Sequence, residues 1–434
     1  MRDLGLLMVF AAFLPFCFWR PHIGLLVWSC FGYLNPHRLT WGFAYSFPFV
    51  AIAAAATLAG LLVGRERNMR LPITPTTITW ALFVFWMIVT TQFALNPESA
   101  ANELSRTIKI QLMVLVTLLI MHDKQRLIWL AGVMAFSIAF YGIKGGLFVV
   151  ATGGAYLVWG PQGTFIEGNN EIAFALLIVM PLMYFFYTQA ENKWIKRLIL
   201  GCMLTSGFAI VGSYSRGALL GGLAMMGMLW IKSRHKIALA IPAVFALILL
   251  VIFMPDAWMD RMSTIQDYDQ DASAMGRINA WMFAVNLAND HPFVGGGYGT
   301  FTKPLFLKYA PNPLDHHDAH SIFFEVLGEH GYVGLFLFLS MGVLTFFNGS
   351  WVIRKCRGRP DLQWASDLAS MSQVALTGYV AGGLFLGLAY FDLPYHLMAI
   401  LVLLKAYVRR ERAATAALDQ DTPRAGFRHA ASTG

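Results

Sequence analysis

Charge is the scarcest property of this sequence. Only 13% of its 434 residues are Asp, Glu, Lys or Arg, about half the ~25% share of an ordinary soluble domain. With 57% hydrophobic residues and a mean hydropathy of +0.57, the chain cannot clothe a core in polar surface. That excludes a water-soluble enzyme, a disordered chain and a nucleic-acid-binding module. Cysteine is scarce as well. Cys17, Cys30, Cys202 and Cys356 have no CxxC spacing and three of them sit in apolar runs, so neither a disulfide framework nor a zinc site is indicated. Strand-like alternation is missing, which excludes a closed β-barrel. Internal and inverted repeats are missing too, which weighs against a transporter. No cleavage site follows the first apolar stretch, which continues past Arg20, so it reads as a first membrane segment.

What the chain has in abundance is long apolar runs, and a spanning helix needs ~20 such residues. Runs lie near 4–18, 22–34, 48–63, 79–95, 106–121, 126–151, 171–188, 196–212, 217–231, 236–254, 320–347, 371–389 and 394–407. The expectation is an all-α polytopic membrane protein with twelve spans, or thirteen if the first two runs are separate. It divides into an N-terminal bundle (1–254), a large loop with amphipathic helices (255–319), C-terminal helices (320–412) and a disordered tail (413–434).

Basic residues outnumber acidic ones 32 to 24, and they come in loop clusters rather than on one basic face. The clusters are Arg65/Arg67/Arg70, Lys193/Lys196/Arg197, Lys232/Arg234/Lys236, Arg354/Lys355/Arg357/Arg359 and Arg409/Arg410/Arg412. Alternating spans put all five on one side, the cytoplasm under the positive-inside rule. Segments 35–47, 96–105, 152–170 and 255–319 then face the opposite side.

Several residues on that opposite side carry chemical potential. Arg216 follows Gly212-Ser-Tyr-Ser215, where a planar guanidinium could bind phosphate or simply snorkel to headgroups. Arg277 opens a stretch in which Ile278, Trp281, Met282 and Val285 make an apolar stripe, expected to lie on the membrane surface. Gly295, Gly296, Gly297 and Gly299 form a turn without the Lys-Ser/Thr of a phosphate loop. Asp315-His-His-Asp-Ala-His320 admits two readings. His316 and His320, with the aspartates, could bind zinc, although HExxH order is absent. Alternatively one histidine is a base at the membrane surface, with His320 best placed and Glu325 and Glu329 further along the same span. Asp267–Asp271 departs from an EF-hand at Ala272 and Ile278 and reads as a solvated acidic loop. At 163–171 a helix cap by Asn170 accounts for much of the polarity.

These motifs resemble the O-antigen ligase and O-antigen polymerase superfamily of bacterial inner-membrane proteins. The ligase signature is His, Asn/Ser/Gln, nine residues, then Gly-x-x-Gly/Thr/Tyr. Here it reads His320-Ser321, nine residues through His330, then Gly331-Tyr332-Val333-Gly334. Arg216 and Leu220 fit Arg-x-x-x-Leu, and Arg277 with His291-Pro292 and the glycine turn looks like the family's large periplasmic loop. The resemblance covers roughly 160–400. The segments Arg20-Pro-His-Ile-Gly and Asn35-Pro-His-Arg-Leu-Thr-Trp-Gly42 look like O-glycosylation ligases found with exosortase systems.

The resemblance implies a GT-C-like transferase in the inner membrane with its site facing the periplasm. It would move a glycan from undecaprenyl pyrophosphate to lipid A–core without cofactor or metal, inverting the anomeric centre. The absence of an evident nucleophilic carboxylate agrees with inversion. It assigns His320 as catalytic and Arg216 and Arg277 to the pyrophosphate, with His317, Ser321, Glu325 and Tyr298 supporting. Partners are the lipid-linked donor, lipid A–core and membrane lipids, with no nucleic acid. The rival readings are a polymerase, a protein O-oligosaccharyltransferase and, in a different class, a lipid or glycan transporter.

Overall fold

The chain breaks first at Arg20-Pro21, and the break separates two helices. A computed structural model describes residues 2–233, 258 and 272–421. In it α1 (Arg2–Trp19) and α2 (Pro21–Leu34) are distinct, because proline at the first helical position cannot continue a preceding helix but suits the start of a new one. They pack with α3 (Phe49–Leu62) into an N-terminal layer.

The next helices are α4 (Pro75–Gln92), α5 (Pro97–Ile120) and α6 (Lys124–Thr152). Proline again opens α4 and α5, and Thr74 and Thr77 cap α4 reciprocally. Then come α7 (Asn169–Gln189), α8 (Lys193–Val211) and α9 (Arg216–Lys232). Beyond the undescribed stretch lie α10 (Ala272–Asp290), the short α11 (Lys303–Tyr309), α12 (Ile322–Lys355), α13 (Gln363–Gly382) and α14 (Asp392–Asp421).

Among the described residues six helices are long and apolar enough to cross a membrane unaided, fewer than the twelve spans expected. The difference has a compositional cause. Threonines dilute α4, charges at Glu98, Glu103, Arg106 and Lys109 dilute α5, and α9 has 17 residues. Such helices need neighbours to hold them in the bilayer. The run at 236–254 and the acidic loop at 267–271 lie outside the described residues. The chain is a multi-pass membrane protein at this coarser level.

Burial sorts the helices by position. The apolar windows of α1 and α8 are 11% and 17% buried, whereas that of α7 is 67% buried. The former face outward, presenting Phe13, Trp19 and Leu204; the latter is core. The whole run Leu397–Leu404 of α14 is buried, against α5, α6, α12 and α13. α14 also continues to Asp421, past the Arg412 boundary expected, since Ala and Glu in 411–417 are good helix formers.

The two ends of the bundle differ in chemistry. Arg70 donates from its amide to Leu119 O, Arg126 pairs with Glu66 at 2.9 Å, and Arg412 donates to Lys355 O. These contacts gather loops 63–74, 121–123 and 356–362 at one end, with the basic clusters at 65–70, 354–359 and 409–412. Opposite contacts, Leu95 N to Gly296 O and Asn169 Nδ2 to Ser213 O, gather loops 93–96, 153–168, 212–215 and 291–302 at the other.

α10 revises the expectation of a helix lying free on the membrane. Its Ala280, Phe283, Ala284, Leu287 and Ala288 are buried, with Phe283 stacked on Phe306 of α11 at 4.2 Å. Ile278 and Met282 do face outward. Both faces are apolar, and the alanine-rich one packs against protein because small side chains allow close approach.

Candidate functional site

The site grows from one irregular residue in α12. Gly331 has φ 66°, ψ −170° inside this 34-residue helix and kinks it. Only glycine adopts that conformation cheaply, and a Cβ there would stand 2.5 Å from Phe293 O. The kink exposes carbonyls to the glycine turn. Gly296 N donates to Gly328 O at 2.8 Å, Gly297 N to Glu329 O at 2.9 Å, and Tyr332 N to Pro292 O at 2.9 Å. Two sequence motifs more than 30 residues apart, the glycine turn and Gly331, are thus one structure, a turn docked onto a kinked helix. The glycine turn is scaffold.

That docking shapes a cleft of about 290 Å³ lined by residues of α5, α7, α12 and the loops at this end. Its walls include His320, Tyr298, Glu325, Glu329, Glu171 and Tyr390. His320 precedes the helix start with φ 42°, a left-handed conformation that costs a non-glycine residue about 1–2 kcal/mol. Strain of that kind persists where surrounding structure imposes it. Trp281 Nε1 donates to Ala319 O at 2.9 Å, and its ring stacks on Phe324 at 5.0 Å. α10 therefore grips both sides of His320.

The two buried acids of α12 have defined partners. Glu329 accepts from Tyr390 Oη at 2.6 Å and from Gly299 N at 2.9 Å. Glu325 accepts from Ala389 N at 3.2 Å. Glu171, Glu103 and Asp318 also line the cleft, so carboxylates beyond the expected Glu325 and Glu329 border His320. The residues come from distant parts of the chain, and only folding assembles them. Glu171, Glu103 and Tyr390 carried no motif; an acid at the polar end of an apolar run was the one signal that pointed to Glu171.

Arg277 acts on the cleft electrostatically. Burial first, then the Arg277 charge, holds the His320 imidazole below its ordinary value of 6.5, so the neutral form prevails at neutral pH. Gly276, the neighbour of Arg277, packs against the His317 ring. Arg216 begins α9 at the same end, its turn tied to α7 by Asn169 and its neighbour Gly217 set against Phe385. Neither arginine is among the residues lining the cleft itself. A cation at a helix N-terminus adds to the positive dipole end there, an arrangement that favours an anion.

The remaining candidates separate. His317 pairs with Asp315 at 2.7 Å, outside the cleft lining. His316 turns to Phe301 O at 2.9 Å and packs on Phe306, which makes it structural. Ser321 is fully buried, its hydroxyl without a partner among the described residues. Tyr298 is a wall, its hydroxyl donating to Met87 Sδ and its ring edge-on to Tyr390 and His330. Among the described residues no three His, Cys, Asp or Glu are grouped to hold a metal ion. Asn170 does not cap α7: the cap residue is Gly168, without a side-chain bond, and Asn169 makes the tertiary contact instead.

Two family models match parts of the chain. Residues 200–339 match the family model described as O-antigen ligase, a span holding Arg216, Arg277 and the whole His320 signature. Residues 1–191 match a family of unknown function. No curated protein matches the chain.

Proposed function

We propose, from the match of residues 200–339 to the O-antigen ligase family model, that this protein is such a ligase. It transfers a glycan from undecaprenyl pyrophosphate to lipid A–core at the periplasmic face of the inner membrane. The observation that carries the reading is His320, held in a strained backbone at a polar cleft where the signature glycine kinks α12. In the proposed step the neutral His320 imidazole takes the proton of an acceptor hydroxyl. The hydroxyl oxygen attacks the anomeric carbon of the donor, and the bond from that carbon to pyrophosphate breaks. Arg216 and Arg277 meet the charge that develops on the leaving phosphate. Tyr390 and Gly299 engage Glu329, and Ala389 engages Glu325, which suits these acids to holding the cleft in shape. Inversion at the anomeric carbon is kept as part of the proposal on the family resemblance alone.

Reconstitution tests it. Purified protein, lipid-linked O-antigen and rough lipopolysaccharide, in EDTA, should yield a ladder of modified lipopolysaccharide. Longer lipid-linked chains without that ladder would instead indicate a polymerase, and glycan on a protein acceptor an oligosaccharyltransferase. Activity lost to EDTA and restored by a divalent ion would overturn the metal-free mechanism.

The environment of His320 also sets a pH dependence. Its neutral form is the active base and its pKa is lowered, so the rate should hold through neutrality and fall only below ordinary histidine values. Arg277→Gln removes one cause of the lowering and should move the acid limb upward. A limb that stays in place in both proteins would exclude His320 as the titrating group.

A further inference from the structure

A second cleft, of about 840 Å³, lies in the N-terminal half between α2, α3 and α5. It shares no lining residue with the His320 cleft, and it falls largely within the stretch that matches a family of unknown function. One part of its lining is cationic: Arg38 from the loop after α2, and Arg106 and Lys109 from one face of α5. The arginines are spread over aromatic rings rather than paired with acids. Arg38 lies over Tyr45 at 4.6 Å and Arg106 over Phe165 at 3.7 Å. The Nε of Arg38 is buried and has no hydrogen-bond partner among the described residues, a costly state for a charged donor. A Cβ at Gly163 (φ 69°) would stand 3.3 Å from that guanidinium, so glycine there leaves room for it. Among the described residues one carboxylate, Asp392, lines the cleft against three cations, leaving an excess of positive charge.

The other part of the lining is apolar and narrow-walled. Ala51, Ala54, Ala55 and Leu58 of α3 line it, a stripe that runs roughly 10 Å along the helix axis. Small side chains there leave a slot beside the charged mouth. We propose that this cleft binds a phosphate-bearing lipid, the phosphate held by Arg38, Arg106 and Lys109 and a hydrocarbon chain laid along α3. A guanidinium pair suits a phosphate because each can donate two parallel bonds. A soluble anion would leave the alanine slot wet, and a neutral lipid would leave the cations unmatched. The inference goes beyond the transferase reading and stands or falls separately from it.

The test titrates the full-length protein, in neutral detergent, with dioctanoyl phosphatidic acid, dioctanoylglycerol or inorganic phosphate, and follows binding by thermophoresis. Phosphatidic acid should bind at least about tenfold more tightly than either other probe, because only it engages both parts of the cleft. Arg38→Gln and Arg106→Gln should each weaken it by about tenfold. Ala55→Trp, at an exposed position that lines the slot, should weaken phosphatidic acid while leaving inorganic phosphate unchanged. Wild-type elution and melting temperature would show each variant folded; if an arginine variant is not, Ala55→Trp decides. Equal binding of phosphate and phosphatidic acid would make this a free-anion site and overturn the lipid assignment. Equal binding of dioctanoylglycerol, or phosphatidic acid binding unmoved by the substitutions, would overturn the cationic site.

Discussion

Alanine at position 320 is expected to cut glycan transfer by roughly 10²–10⁴-fold, the range for loss of a positioned general base, with insertion and donor binding nearly intact. The side chain borders the cleft while its backbone is held by neighbours, so removing the imidazole leaves Trp281, Phe324 and the kink at Gly331 in place. His320→Gly sharpens the test. Glycine accepts φ 42° without strain, so the variant should be at least as stable as wild type yet equally slow. Added imidazole should restore part of the rate through the space left in the cleft. His316→Ala should be much milder for transfer, because that ring bonds to Phe301 O and not to the cleft; His317→Ala, through its Asp315 pair beside Arg277, should be intermediate. A fully active His320→Ala protein would end the proposed mechanism.

Arg277→Ala and Arg216→Ala are expected to give the next largest losses. Removing one preorganised donor from a developing oxyanion costs about 10²–10³ in turnover. Each should also weaken binding of undecaprenyl pyrophosphate, measured directly with the purified protein. Lysine should recover only part, since a point charge cannot reproduce the planar fork. The two differ in one respect. Arg277 acts on His320, so its loss should change the pH profile as well as the rate; Arg216→Ala should change the rate alone. Unchanged binding and transfer in either alanine variant would remove that residue from the site.

How far the site was legible depended on whether chemistry was local. The His320–Gly334 pattern is contiguous, and it could be read as a unit because the histidine, the helix start and the kink lie within 15 residues of one another. Arg216 and Arg277 stood out as cations on the side opposite the basic clusters. Glu171, Glu103 and Tyr390 did not stand out, because nothing in their neighbours along the chain marks the cleft they share with His320. Of the apolar stripe in α10, Ile278 and Met282 face outward as expected, whereas Trp281 stacks on Phe324. A helix with two apolar faces does not declare which one meets protein.

Composition and run length alone determined that this chain is a helical membrane protein, since scarcity of charge and continuous apolar runs leave no other way to satisfy the backbone. They also segregated the basic loops to one end of the bundle. Only the tertiary structure decided that the first two runs are separate helices, that the glycine turn docks on the kink at Gly331, and that carboxylates crowd the His320 cleft. Likewise only folding set Arg38 beside Arg106 and Lys109, residues about 70 positions apart in sequence. Local patterns report what a segment buries. Contacts between segments far apart in the chain arise from packing, and no local pattern encodes them.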